Sequence, residues 1–203
     1  MDQHTAPRPG RHAALVALLL TAGLVIGAAT SFGQGHLNGA LNPLVNSASA
    51  WLVAPFFAGS RMKTGRGAAA AGFAVCVAQL VGYSVTAELR GFSAGGTIVV
   101  FWTMCAVVGG PVFGAAGRLW RVRAEPLHSV ATAVLPAAFL AEGLWVYVHE
   151  LHYWGAAALW LTIGALLALV MTHGLRDRRW IILTTASGLA AEALLTQIYT
   201  QSF

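Results

Sequence analysis

LHSVATAVLPAAFLAEGLWVYVH, residues 127–149, decides the fold. Glu142 is its only Asp, Glu, Lys or Arg. A helix of this length, at about 1.5 Å per residue, runs about 34 Å and crosses a hydrocarbon core about 30 Å thick. A membrane β-strand would be about half as long and would alternate apolar and polar residues. This run is too long and too continuously apolar for that. The same reading along the chain predicts seven helices, at 12–32, 43–60, 67–88, 95–117, 127–149, 155–174 and 180–200. The expected fold is all-α: a polytopic membrane protein over residues 1–203, one domain, built as a seven-transmembrane-helix bundle.

Composition points the same way. Of 203 residues, 57% are hydrophobic and 9% charged, against about 25% charged in an ordinary soluble domain. Such a chain cannot cover itself with polar groups, so lipid is its solvent and its backbone must bond internally. The net charge of +5 raises the question of nucleic acid. The distribution answers it, because the basic residues sit in short clusters between apolar runs. Arg8 and Arg11, then Arg61, Lys63 and Arg66, then Arg118, Arg121 and Arg123, then Arg176, Arg178 and Arg179 all fall on one side of a seven-span map. Only Arg90 falls on the other. The positive-inside rule then predicts N-in/C-out in the cytoplasmic (plasma) membrane, with no nucleic-acid partner. Residues 8–30 have some character of a signal peptide, but their apolar run exceeds a typical h-region, so a retained first span is expected.

Small residues and prolines shape the expected packing. Pro43 and Pro126 stand at helix starts, where a missing N–H costs nothing. Gly110, Gly114 and Gly117 suit close helix contact. Pro55, Pro111 and Pro136 fall inside helices and should bend them. Cys76 and Cys105 lie in apolar runs without metal-ligand or redox spacing, so buried thiols are expected. No metal site or cofactor is expected. His149-Glu150-Leu151-His152 is not a metal-binding spacing and stands at a helix end.

The polar residues gather toward the predicted outer side. Glu142 lies about 22 Å and Glu192 about 18 Å from the inner edge of their helices, beyond the midplane of the core. Asn42, Asn46 and Ser49 fall on one helical face, and so do Gln79, Tyr83 and Thr86. Trp145 and His149 fall on the Glu142 face; Gly188, Thr196 and Tyr199 fall on the Glu192 face. Gln34, His36 and Asn38 add polar groups in the first outer loop. Ionisable residues inside a membrane are expensive and mark functional sites by default. Two glutamates at matched depth predict a shared pocket, with Trp51 and Trp102 as further lining. A carboxyl group held away from water is a candidate proton donor. The competing explanation for Glu142 is structural: a hydrogen bond that ties it to a neighbouring helix. Glu88, Arg90 and Glu150 read as solvated loop ends.

This plan resembles the small seven-helix integral-membrane terpene cyclases of fungal and actinobacterial meroterpenoid and indole-terpenoid pathways. The resemblance rests on chain size, the number of spans, and the glutamates in Ala141-Glu142-Gly143-Leu144-Trp145 and Ala190-Ala191-Glu192-Ala193-Leu194. It implies cyclisation of a prenyl chain on a lipophilic substrate, started by protonation without a metal. Glu142 and Glu192 would be the catalytic residues, and Trp51, Asn46, Gln79, Tyr83, Trp102, Trp145, His149 and Tyr199 the substrate-binding ones. Aromatic faces would stabilise the cation. Metal-dependent terpene enzymes need Asp-rich clusters, and Asp2 and Asp177 are the only aspartates here. The alternative is a small transporter or substrate-binding membrane subunit that uses the same glutamates for proton coupling.

Overall fold

The computed structural model describes residues 9–92, 96–123, 127–172 and 175–202. Among them the regular structure is entirely helical. The elements are α1 (Pro9–Gly33), a 3-10 turn (Gly39–Leu41), α2 (Pro43–Asn46), α3 (Ala48–Ser60), α4 (Gly65–Leu89), α5 (Gly96–Val122), α6 (Leu127–Glu142), a π-helical continuation of α6 (Gly143–Glu150), α7 (Trp154–Met171) and α8 (Leu175–Ser202). Five stretches are long and apolar enough to cross a membrane: Ala13–Gly33, Gly65–Leu89, Leu127–Glu150, Trp154–Met171 and Asp177–Ile198. With exposed Leu, Val and Ile along several of them, they mark the chain as a membrane protein.

Each expected helix has a counterpart, but two are not regular. The stretch expected as one helix over 43–60 is broken at Ser47, whose backbone is extended (φ −111°, ψ 138°). Pro43 does begin α2. The break turns the two halves relative to each other, so Asn42, Asn46 and Ser49 do not share a face. The second irregularity is the π segment, in which the Leu151 N–H reaches back to the Val146 carbonyl at 2.9 Å. Gly143 opens it, followed by aromatic and β-branched residues that favour an α-helix poorly. The wider turn shifts the register after Glu142. Beyond it Trp145 is half-buried and His149 exposed, whereas Glu142 is buried. Arg8 and Pro126 lie outside the described residues.

Packing centres on α6. It touches α3, α5, α7 and α8, while α1 packs chiefly on α4, and α8 chiefly on α6 and the π segment. The core is made by Phe56, Leu135, Phe139, Tyr147 and Trp160. Helices α3, α4 and α5 meet at the glycines that the sequence marks. A methyl group on Gly117 would strike the Phe56 carbonyl, and one on Gly114 would strike the Ala68 carbonyl across the α4 interface. At one end of the bundle, arginines close α3 and the loop that follows it. Arg118 donates to the Lys63 carbonyl at 3.0 and 3.1 Å, and Arg121 to the Ser60 carbonyl at 3.5 Å. The segment 34–47 covers the opposite end.

Candidate functional site in the bundle

The break at Ser47 and the carboxyl group of Glu142 form one unit. Glu142 is only 4% exposed, and every neighbour that it bonds is a donor. The Ser47 hydroxyl donates to Oε2 at 2.6 Å, and the Ser49 N–H donates to the same oxygen at 2.9 Å. The Ala48 N–H donates to Oε1 at 3.3 Å. These are the unsatisfied amides that any helix start leaves, here the start of α3. The Ser49 amide is buried in the bundle and needs a partner from the protein. Glu142 therefore caps α3 from another helix. Ser47 also receives the Ala50 N–H at 3.4 Å, as an N-cap serine does.

Trp160 completes the unit from α7. Its indole N–H lies 2.8 Å from Ser49 Oγ and 3.1 Å from Ser47 Oγ, and the two serine oxygens are 3.0 Å apart. The bonds run in one consistent direction, from Trp160 through Ser49 and Ser47 to Glu142. Trp160 is fully buried between Phe139 and Tyr147.

Glu192 has different surroundings. It sits on α8 with Gly188 one turn before and Thr196 one turn after. Gly188 lies against Ala141, where an added methyl would come within 2.8 Å of the Ala141 side chain. The Trp145 indole N–H donates to the Thr196 hydroxyl at 3.3 Å. The Glu192 face is thus turned to the α6–π junction, between Ala141 and Trp145. No hydrogen bond to the Glu192 carboxyl occurs among the described residues. The Trp145 ring is tilted at 45° to that of His149, with 4.7 Å between ring centroids. Tyr199, expected on this face, lies outside the residues whose side chains are described.

The remaining expected residues form a second cluster on α3, α4 and α5. Trp51 meets Tyr83 edge-on at 6.0 Å and stacks on Trp102 at 6.2 Å. The Tyr83 hydroxyl donates to Gln34 Oε1 at 2.7 Å, and Gln34 Nε2 donates to Asn46 Oδ1 at 2.6 Å. One turn along α4 from Tyr83 lies Gln79, with 0% exposure. Neither atom of its amide has a partner among the described residues. Burying a polar group in this way costs about 1–3 kcal/mol.

Residues 6–203 match a family described as "Family of unknown function (DUF6518)". The chain belongs to the DUF6518 family. No curated protein and no solved structure matches it. The residues that build the site in this DUF6518 chain include two that the sequence reading did not single out. Ser47 lay in the polar half of an expected helix, and its signal was the Asn-Ser-Ala-Ser run typical of a helix start. Trp160 carried no signal, because it is one apolar residue among many on its helix. Arg90 also differs from expectation. It is no solvated loop end: its guanidinium bonds the Ser31 carbonyl and lies 5.0 Å from the Phe32 ring and 5.1 Å from the Phe92 ring. It thereby closes the end of α1. Glu88 and Glu150 are exposed, as expected for loop ends.

Proposed function

We propose that this protein is a membrane-integral, metal-independent terpene cyclase that acts on a prenylated lipophilic substrate in the plasma membrane. The observation that carries the reading is the state of Glu192: a carboxyl group in a candidate membrane span that accepts no hydrogen bond among the described residues, on a helix face that Trp145 meets at Thr196. Seven spans, N-in/C-out, follow if α5 and the broken pair α2–α3 cross the bilayer as well. The arginine end is then cytoplasmic, and Glu192 and Trp145 lie toward the outer side. The limited packing of α8, chiefly on α6 and its π segment, leaves its flanks open to a substrate arriving through the lipid.

The chemistry uses the Glu192 acid. Its proton adds to an alkene of the prenyl chain, whose π electrons form the new C–H bond and leave a carbocation. A second alkene supplies its π pair to close the ring. Loss of a proton from the final cation returns the carboxylate to the acid, so substrate and product are isomers. The Trp145 face stabilises the cation in transit, and the absence of water prevents its early capture. Glu142 is a positioning residue in this scheme. Its acceptors are already used by α3, and it holds the half-helix that carries Trp51.

The test is direct. Membranes containing the protein should convert a prenylated aromatic compound to an isomer of equal mass and different retention without added Mg²⁺. Glu192→Gln should abolish the conversion. Full activity in that variant sinks the assignment of Glu192, and absence of any isomer over a panel of prenylated aromatics sinks the enzyme reading.

One observation favours transport as the second reading. Transporters commonly break a helix in the membrane and use the exposed N-terminus at their ligand site, and α2–α3 is such a break. Saturable uptake of a ligand that leaves chemically unchanged, lost in Glu142→Gln, would favour it.

A further inference from the structure

Gln79 belongs neither to the Glu142 cap nor to the Glu192 face. Its amide offers one donor group and one acceptor, neither with a hydrogen-bond partner among the described residues, on a side chain with 0% exposure. Its backbone is pressed against α1, where a methyl on Gly27 would strike the Gln79 carbonyl. That side is therefore closed. On the same α4 face one turn away is Tyr83, in contact with Trp51, which stacks on Trp102. The Tyr83–Gln34–Asn46 hydrogen bonds close the cluster toward the 34–47 segment. A leucine there would fill similar space without the unpaired polar atoms. The amide therefore costs stability where it stands, and such a group calls for an explanation beyond packing.

We infer that Gln79 anchors a second ligand site, which takes a lipophilic molecule bearing a neutral amide or lactam head against the Trp51, Tyr83 and Trp102 rings. An amide or lactam presents a donor and an acceptor side by side, the complement of the Gln79 pair. The head is neutral because Gln34, Asn46, Trp51, Gln79, Tyr83 and Trp102 include no charged residue. The rings supply flat apolar walls of the kind that ligand sites use. Entry of the head displaces the side chains that now cover Gln79, so the site opens as it fills. This holds whether or not the protein is a cyclase.

The experiment uses the full chain in lipid nanodiscs, titrated with dodecanamide and with N,N-dimethyldodecanamide, which lacks the amide donor. The tryptophan emission should change saturably with dodecanamide, and the dimethyl compound should bind at least tenfold more weakly. Gln79→Leu should abolish that preference and should unfold at a higher temperature than the native chain when no amide is present. Absence of saturable binding, equal affinity for the two amides, or a preference kept in Gln79→Leu each overturns the inference. A Gln79→Leu chain that melts lower or fails to fold means that the amide has a structural partner, and that overturns it too.

Discussion

Glu142 and Glu192 are alike in sequence and unlike in place. Each is a lone acid in a small-residue setting, Ala-Glu-Gly and Ala-Glu-Ala, on a helix that is otherwise apolar. Glu142 is enclosed by three donors and ends a broken helix. Glu192 faces a helix junction with no donor on it, on a helix that packs mainly on one side. The cost of an intramembrane carboxyl is met in the first case by the backbone of α3. In the second case no donor among the described residues meets it. That difference separates a structural acid from a chemical one better than position along the helix does.

The largest effect that tests this contrast is removal of the Glu142 carboxyl. Glu142→Ala strips three buried donors of their acceptor at once, at about 1 kcal/mol each, or about 3 kcal/mol in all. The loss is read as a lower midpoint of SDS-induced unfolding in mixed micelles, followed by circular dichroism. A change below about 0.5 kcal/mol would remove Glu142 from its structural role and erase the contrast.

A smaller effect is expected from the other half of the cap. Ser47→Ala removes the O–H donor to Glu142 and the acceptor for the Ala50 N–H, but leaves the Ala48 and Ser49 amides in place. It should cost about 1–2 kcal/mol. In the Glu142→Ala background the same change should cost clearly less, because the partner is already gone. Strict additivity would mean that the two residues do not act together.

The contrast was only partly legible in the sequence. Apolar length and charge clustering are properties of single segments, so the helices, their spans and their small-residue contacts could be read locally. Glu142 and Ser47 are 95 positions apart, and nothing in either segment names the other. The break at Ser47 left a local trace in Asn46-Ser47-Ala48-Ser49, but an apolar run of near-span length outweighed it. The π segment left only a weak one, Gly143 and the aromatic and β-branched residues after it. Both irregularities break the α period on which the expected helical faces rested, so the donors around Glu142 could not be read from spacing along one segment.

Gly188→Ala perturbs the Glu192 side without touching the acid. The new methyl would come within 2.8 Å of the Ala141 side chain, and α8 must move slightly outward to admit it. The expected cost is about 1 kcal/mol. If Glu192 is the acid, cyclisation should fall more than stability does, since the shift changes the placement of Glu192 beside Trp145. Unchanged turnover at that stability cost would put the chemistry elsewhere.

The smallest stability change is expected at Glu192 itself. Glu192→Gln keeps shape and volume, and no hydrogen bond to the carboxyl is there to lose, so the change should stay within about 0.5 kcal/mol. A structural acid gives the opposite pattern, because exchange of an acceptor oxygen for an amino group sets donor against donor. Glu142→Gln meets that conflict and Glu192→Gln does not. Measured side by side in the same micelles, the two isosteric changes differ by one position of charge and almost nothing in volume. A marked destabilisation by Glu142→Gln with none by Glu192→Gln upholds the division between cap and acid. Equal destabilisation by both would make Glu192 a second structural carboxyl and leave the proposed reaction without its proton.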